Sequence, residues 1–430
     1  MKNFLPYLLL VINTIAFSQE KMVLDTTDYP KRQAFIKEFE NSNLQLIQSL
    51  EKSQERKVFK MLKKNMEEFK TDFSKEIKEQ NFHFDERLET FLNTILTEFK
   101  DKNPEIPKNT KVLLSKNTNL NAYCLPDGTF VINLGLFYWL ENEDQIAGVL
   151  AHEISHKVLE HSIKTQVHFI NDELNQQNKN LVTELKKQKY NKTQKAFQLF
   201  KNKLYATGEM RQKHEFEADS LGYLFLKKTK YNKQDYIETL RQIEKYDTIT
   251  PKGLSEPIYK KIFDLPNQAF KQEWLKMEDF SSYDYSLLKE KMNKDSISSH
   301  PEIDARIKKL ELLYPELKTS KSNEPNEEFK KLEQIAYYNI IPNLMFSEDY
   351  GAAIYICLNR IEKEKEIDLH KKLLGDCFQK VLKARKEYKL NRYLDRIDPK
   401  NQSQSYMQFL SFMWNLSLDE IKNIADFYSK

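Results

Sequence analysis

Glycine is scarce in this sequence, and its scarcity limits the folds that the chain can adopt. Only 8 of the 430 residues are glycine. Glycine-rich phosphate loops, β-propellers and large barrels need many turns with positive φ, which glycine adopts at the lowest cost. Long stretches rich in lysine, glutamate, leucine and phenylalanine favour helix instead. The sequence therefore predicts an α+β fold that is predominantly α-helical and contains a small sheet.

The charges of the chain nearly cancel. The chain has 68 lysines and arginines and 64 aspartates and glutamates, which gives a formal net charge of +4. This balance indicates neither a nucleic-acid partner nor binding to an anionic membrane surface. Hydrophobic residues make up 40% of the chain, which is enough for a folded core.

The first eighteen residues have the pattern of a secretory signal peptide. Lys2 precedes an apolar stretch at 4–17, and Ala16 and Ser18 place small residues where a signal peptidase cleaves. The stretch is short for a membrane span, although a retained N-terminal anchor is the alternative. We therefore expect an exported protein, periplasmic or secreted, with no transmembrane span in the mature chain.

The three cysteines are too few for a disulfide scaffold. Export would place them in an oxidising compartment, where disulfides form. Cys357 and Cys377 are then candidates for a pair that leaves Cys124 unpaired, and the sequence leaves this pairing open.

A histidine motif on a predicted helix carries the strongest chemical signal. Residues 152–156 read His-Glu-Ile-Ser-His. Residues four apart share one helix face, so His152 and His156 point together and can meet one ion at about 2.0–2.1 Å. Zinc is the usual ion for such a nitrogen-rich site. Glu153 can reach water at the metal, and a merely buried helix would leave these polar groups unpaired at a cost.

A catalytic zinc needs a third protein ligand and an open fourth position. His161 follows His156 by five residues, about 140° around the predicted helix at 143–162, and is excluded on that ground. Residues 214–222 offer an acid on a second helix instead. By helical spacing, Glu215 shares a face with Asp219, whereas Glu217 points elsewhere.

The face that carries Glu215 also carries two small residues. Ala218 and Gly222 allow this helix to approach the first one closely. Glu215 can then ligate the metal, and Asp219 can accept a hydrogen bond from the free ring N–H of a ligand histidine.

The chain resembles a known family at these motifs. HEISHKVLEH at 152–161 followed by EFEAD at 215–219 is similar to the M48 gluzincin metallopeptidases, among them HtpX, the CAAX prenyl endopeptidases and the Oma-like proteases. The resemblance covers about residues 80–315. It implies a zincin-like domain, and the lack of membrane spans favours the exported soluble branch, whose members carry tetratricopeptide tails.

The resemblance implies a zinc metalloendopeptidase that hydrolyses peptide bonds by metal-activated water. The implied site has one zinc per chain, the metal ligands His152, His156 and Glu215, and the general base Glu153. His300 of a late His-Pro element is implied to stabilise the oxyanion. Arg306 is implied to position His300 or the helix pair, and Asp219 to bind a ligand histidine.

The substrate is expected to be a polypeptide that lies extended along 129–133 as an added strand, in contact with Thr129 and Val131. Asn121 is expected to anchor its backbone. Backbone pairing tolerates different side chains, so unfolded or misassembled exported proteins are the expected targets.

The domain organisation is predicted from these features and from polar breaks. The predicted segments are a signal peptide at 1–18, an N-terminal helical segment at 19–83, the zinc metallopeptidase domain at 84–317, a linker at 318–327 and a C-terminal helical domain at 328–430. Short motifs at 349–354 and 398–401 resemble parts of a tetratricopeptide repeat. The C-terminal helices are therefore a candidate surface for a protein partner.

An alternative function is a chaperone-like assembly or protein-binding factor whose zinc site is gated or idle. The complete set of ligands and the general base argue against an inactive remnant. A purely structural metal site would need a fourth protein ligand, and the sequence shows no candidate nearby.

Overall fold

The computed structural model describes residues 24, 28–176, 180, 192–248, 253–277, 303–319, 321–398 and 402–429, and only the backbone of 192–205 and 246–248. These ranges form fifteen α-helices and one four-stranded sheet, which confirms the predicted α+β, predominantly α class. The predicted signal peptide at 1–18 and His300 lie outside the described residues.

The helices and strands follow one another along the chain with no second sheet among the described residues. In order they are α1 (Tyr29–Ser53), α2 (Arg56–Lys78), β1 (Phe82–His83), α3 (Glu86–Lys102), β2 (Lys111–Ser115), β3 (Ala122–Cys124), β4 (Thr129–Asn133), α4 (Gly135–Trp139), α5 (Glu143–Val158), α6 (His161–Leu174), α7 (Lys192–Lys227), α8 (Asp235–Thr248), α9 (Glu256–Phe263), α10 (Ile303–Leu313), α11 (Glu327–Phe346), α12 (Tyr350–Glu362), α13 (Ile367–Lys386), α14 (Gln404–Asn415) and α15 (Leu418–Tyr428).

The sheet has the strand order β1-β2-β4-β3. β2 and β4 run parallel, whereas β1 pairs antiparallel with β2 and β3 pairs antiparallel with β4. In the turn between β3 and β4, Gly128 adopts a φ of 95°. The sheet therefore ends at β3, the strand nearest the active-site helix described below.

One core joins the sheet to the surrounding helices. The face of α3 that packs against it is buried at Leu88, Phe91, Leu92, Ile95, Leu96 and Phe99. Asp85 caps α3, since its carboxylate accepts a hydrogen bond from the Arg87 backbone N–H at 3.1 Å. This core also contains the buried side of α5 and the C-terminal part of α7.

The N-terminal helices are joined to the sheet. α1 and α2 pack Phe39, Phe73 and Ile77 against Leu113 and Val131 of the strands. The chain then contributes β1 to the sheet edge. α1 and α2, which fall within the segment predicted as N-terminal and helical, thus pack on the sheet.

The polar segment before α11 is held by specific contacts. Asn323 donates from its side chain to Asp144 at 2.8 Å and from its backbone to Asp235 at 3.2 Å. Residues 254–275, assigned from the sequence to the peptidase domain, pack instead with the C-terminal helices. The packing boundary therefore differs from the predicted linker at 318–327.

α11 belongs to two cores at once. Phe329 and Leu332 in its first half pack in the peptidase core, and Ile341 and Leu344 in its second half pack with α12 to α15. The repeat-like motif at 349–354 coincides with the first turn of α12, where Asp349 caps the helix by accepting a hydrogen bond from the Ala352 N–H at 3.1 Å. A tetratricopeptide architecture stays a prediction.

The three cysteines are free thiols. Cys357 and Cys377 are both buried in the C-terminal core, and the candidate pair is not formed. Within the described ranges, no helix is both long and apolar enough to cross a membrane.

Candidate active site

α5 brings the two motif histidines together. Asn142 caps the helix by accepting a hydrogen bond from the Gln145 N–H at 2.9 Å, and Ile154 anchors the buried side of the helix in the core. His152 and His156 lie one turn apart, and their Nε2 atoms are 3.0 Å apart. The predicted common direction of the two imidazoles is therefore present.

Glu215 on α7 completes a three-donor group. Its Oε2 lies 3.5 Å from His152 Nε2, and its Oε1 lies 3.5 Å from His156 Nε2. Donors around a tetrahedral zinc are separated by about 3.3 Å when each bond is about 2.0–2.1 Å. The spacing and the two-nitrogen, one-carboxylate chemistry therefore fit a zinc ion, and these three residues would hold it.

Asp219, one turn after Glu215 on α7, lies behind His152. Its Oδ1 is 3.1 Å from His152 Nδ1, as predicted for a group that holds the imidazole with Nε2 towards the metal. Burial lowers the pKa of His152, but the Asp219 and Glu215 carboxylates more than offset this and raise it. Burial also lowers the pKa of His156, and the adjacent His152 lowers it further.

Arg306 on α10 contacts both acidic residues of α7, Asp219 and Glu215. Its Nε and Nη2 donate to the two oxygens of Asp219 at 2.7 and 2.6 Å, and its Nη1 lies 3.4 Å from Glu215 Oε2. Burial raises the pKa of Asp219, but Arg306 overcomes this and holds it below its usual value. Arg306 thus links α10 to α7 beside the candidate metal site, and its predicted role in positioning His300 or the helix pair stays a prediction.

Glu153 follows His152 on α5 and is half-buried. Burial is the main cause of the raised pKa of the Cys124 thiol on β3, and the negative charge of Glu153 adds to it. Glu153 therefore lies within electrostatic range of β3, next to His152 on α5.

The close approach of α5 and α7 depends on the small residues predicted for it. Ala218 is fully buried, and a Cβ added to Gly222 would lie 3.2 Å from the Ala151 carbonyl oxygen. The same Cβ would lie 2.5 Å from the hydroxyl oxygen of Tyr236. That hydroxyl is buried and has no hydrogen-bond partner among the described residues.

We expect Gly222→Ala to lower the free energy of unfolding by about 1–3 kcal/mol, because the added methyl group overpacks the contact between the helices. Tyr236→Phe in the same chain should recover part of this loss by removing the oxygen at 2.5 Å. Denaturant unfolding of both single variants and the double variant measures the effect. A double variant no more stable than Gly222→Ala would contradict the packing explanation.

A second group of donors lies next to His156, and the sequence reasoning missed it. α5 ends at Val158, Glu160 adopts a φ of 57°, and α6 begins at His161. His161 Nδ1 consequently lies 2.9 Å from His156 Nδ1, although a continuous helix would have turned it away. Its exclusion as a metal ligand at the first site stands, but the reason given for it is corrected.

Glu217, predicted only to point away from Glu215, belongs to this second group although its side chain is partly exposed. One oxygen, Oε2, lies 3.1 Å from His161 Nε2, and the His214 ring stacks on the His161 ring at 4.0 Å between centroids. Burial and the adjacent His214 lower the pKa of His161 to about 4, so its imidazole is neutral at pH 7. The spacing of Glu217 from Glu215 gave no signal of this contact.

The structure corrects the predicted path of the substrate. Thr129 and Val131 are fully buried in β4, whose backbone pairs with β2 on one side and with β3 on the other. A peptide cannot add to a strand that is paired on both sides. Among the described strands, β3 has the free edge on this side, and Asn121 directly before it is exposed.

Fold and site together define a metallopeptidase of the zincin type, with its ligands on two packed helices beside an edge strand. The family described as Peptidase family M48 matches residues 85–313, just over half of the chain. The protein therefore belongs to peptidase family M48, which confirms the resemblance seen at the motifs. No curated protein matches the chain.

Proposed function

We propose that the protein is a zinc endopeptidase that cleaves unfolded or misassembled polypeptides after export. The convergence of His152, His156 and Glu215 within bonding reach of one ion supports this proposal most directly. Glu153 beside them supplies the base that a hydrolytic site needs. The proposed zinc content is one ion per chain.

The chain's own residues have distinct roles in the proposed reaction. Zinc, when bound, supplies a Lewis acid that polarises the scissile carbonyl and acidifies water. Glu153 accepts the proton of the attacking water and then delivers it to the leaving amine. Asp219 keeps the His152 ring in place, and Arg306 keeps Asp219 ionised. His300, outside the described residues, is proposed to stabilise the oxyanion.

The substrate is proposed to lie along the free edge of β3. Tyr123 in the middle of this strand is exposed and also lines a cavity of about 1130 Å³ between the sheet and the C-terminal helices. Trp139 and Tyr406 line the same cavity. A chain paired with β3 would lead into this cavity, which supports an extended polypeptide over a short peptide. Asn121 is proposed to contact its backbone.

Removal of the metal should abolish turnover reversibly. We expect a chelator to lower the cleavage of denatured casein by about 100-fold or more, because both the Lewis acid and the acidified water are lost. One equivalent of added zinc should restore activity, and elemental analysis should then find one zinc per chain.

Cleavage that persists in protein shown to be free of metal would contradict the proposed function. Binding of denatured casein without cleavage by the fully zinc-loaded chain would favour the chaperone-like alternative. Export is proposed from residues 1–18 and is tested by locating the mature chain and sequencing its N-terminus.

A further inference from the structure

A chain of three side chains leads from the proposed zinc to the surface. His156 Nε2 faces the metal position, while His156 Nδ1 lies 2.9 Å from His161 Nδ1. On the far side of that ring, His161 Nε2 lies 3.1 Å from Glu217 Oε2. His161 is only 4% exposed, whereas the Glu217 side chain is 42% exposed.

The protons along this chain can be assigned by chemistry alone. A neutral imidazole that binds metal through Nε2 carries its proton on Nδ1. His156 Nδ1–H would then donate to His161 Nδ1, which must be an acceptor. The proton of the His161 ring is therefore on Nε2, where it donates to Glu217. Every donor in the series faces an acceptor.

We propose that His161 and Glu217 are positioning residues that fix the tautomer and ring orientation of His156 for zinc binding. The proposal rests on the proposed function, because it assumes that zinc occupies the His152, His156 and Glu215 site. It assigns to His156 the support that Asp219 gives to His152. Both histidine ligands would then be backed by a carboxylate, one directly and one through a second imidazole.

The local fold holds this arrangement in place. The left-handed Glu160 reverses the chain so that His161, the first residue of α6, faces back towards α5. His214 stacks almost parallel on His161, with an angle of 8° between the rings, and restricts the plane of its ring. Glu217 reaches the same ring from α7, two residues after the ligand Glu215.

A second cation held by His161, His214 and Glu217 is the competing explanation, since donor atoms of these three residues lie within 4.8 Å of one another. A cation on His161 Nε2 would leave the His161 proton on Nδ1. That proton would face the proton of zinc-bound His156 across 2.9 Å, which is repulsive. Binding of the second cation would therefore disfavour binding of zinc at the first site, whereas the hydrogen-bonded chain is compatible with zinc.

Zinc affinity of the full-length chain, measured by competition with a chromophoric chelator, tests the proposal. We expect His161→Ala to weaken zinc binding by about 10- to 100-fold, the usual effect of losing a partner of a metal-ligating histidine. His161→Asn places an amide oxygen near the former Nδ1 and should recover part of that loss. Glu217→Ala should weaken binding in the same direction.

Lys213→Ala is the control for charge beside this chain, because Lys213 is exposed and lies 3.7 Å from Glu217 Oε1, the oxygen that does not contact His161. It should leave zinc affinity unchanged. Thermal unfolding of the metal-free variants should show that each is still folded at the temperature of the zinc measurement, which separates a loss of orientation from a loss of folding.

The possible outcomes can be told apart. Wild-type protein that binds no zinc would overturn the proposed function and this proposal with it. One zinc bound with equal affinity by wild type, His161→Ala and Glu217→Ala would overturn the positioning role alone. A second zinc equivalent that disappears in His214→Ala would overturn it in favour of the second cation site.

Discussion

Glu153→Gln is expected to bind zinc like the wild type and to lose about 100- to 10,000-fold in the rate of peptide hydrolysis. The amide has nearly the same shape as the carboxylate but cannot accept the proton of the attacking water. Because Glu153 is not among the three metal-binding donors, its replacement should leave the zinc content at one per chain. Cleavage of denatured casein and elemental analysis measure the two properties.

The matched control for this change is Glu173→Gln. It makes the same substitution at an exposed residue of α6 and should leave both properties unchanged. If Glu153→Gln retains turnover within about tenfold of the wild type, the assignment of the general base is wrong.

Arg306→Met is expected to lower the free energy of unfolding by about 3–5 kcal/mol. Arg306 is 5% exposed and Asp219 is 1% exposed, so the substitution leaves a buried carboxylate without its bidentate partner. Breaking a buried pair by removing one partner costs more than the pair contributes, because the remaining charge stays desolvated. Denaturant unfolding of the metal-free protein measures the loss without a contribution from zinc.

Two variants provide the comparison for Arg306→Met. Arg241 forms an ion pair with Glu238 on the partly exposed side of α8, and Arg241→Met should cost less than about 1 kcal/mol. Arg306→Lys keeps the positive charge but cannot make two parallel hydrogen bonds, so an intermediate loss is expected. A loss in Arg306→Met no larger than in Arg241→Met would show that the buried pair does not stabilise this part of the fold.

The grouping of the three candidate metal ligands could be predicted from the sequence because its geometry is mostly local. His152 and His156 lie one turn apart on one helix, so spacing alone places them on the same face. Glu215 required a second helix, but Ala218 and Gly222 indicated which face of that helix is close to a neighbour.

The contact of His161 with His156 could not be predicted in the same way. It depends on the end of α5 at Val158 and on a left-handed residue that is glutamate rather than glycine. Non-glycine residues rarely adopt positive φ, so Glu160 gave no signal of a chain reversal. Once the helix was assumed to continue, the angular argument necessarily placed His161 on the wrong side.

The prediction of the strand that pairs with the substrate was wrong for a different reason. The strand at 129–133 was predicted to pair with the substrate, but the sequence does not state which strand lies at the edge of the sheet. The order β1-β2-β4-β3 results from a parallel pairing of β2 with β4 that skips β3. Pairing between strands that are separated in sequence decides whether Thr129 is buried or free to contact a substrate. The periodicity of residues within one strand does not predict that pairing.

Because α11 packs in both cores, it couples the C-terminal helices mechanically to the peptidase core. In its first half, the Phe329 ring centroid lies 6.4 Å from those of Phe91 and Phe137, and Phe137 belongs to α4, directly before the active-site helix. Its second half is embedded among the last four helices. A displacement of those helices is therefore transmitted through α11 to the core below the active-site helix. A chain cut after residue 318 would leave Phe91 and Phe137 without the aromatic ring that covers them. The C-terminal helices are therefore part of the packing that supports the active site and not a separable appendage.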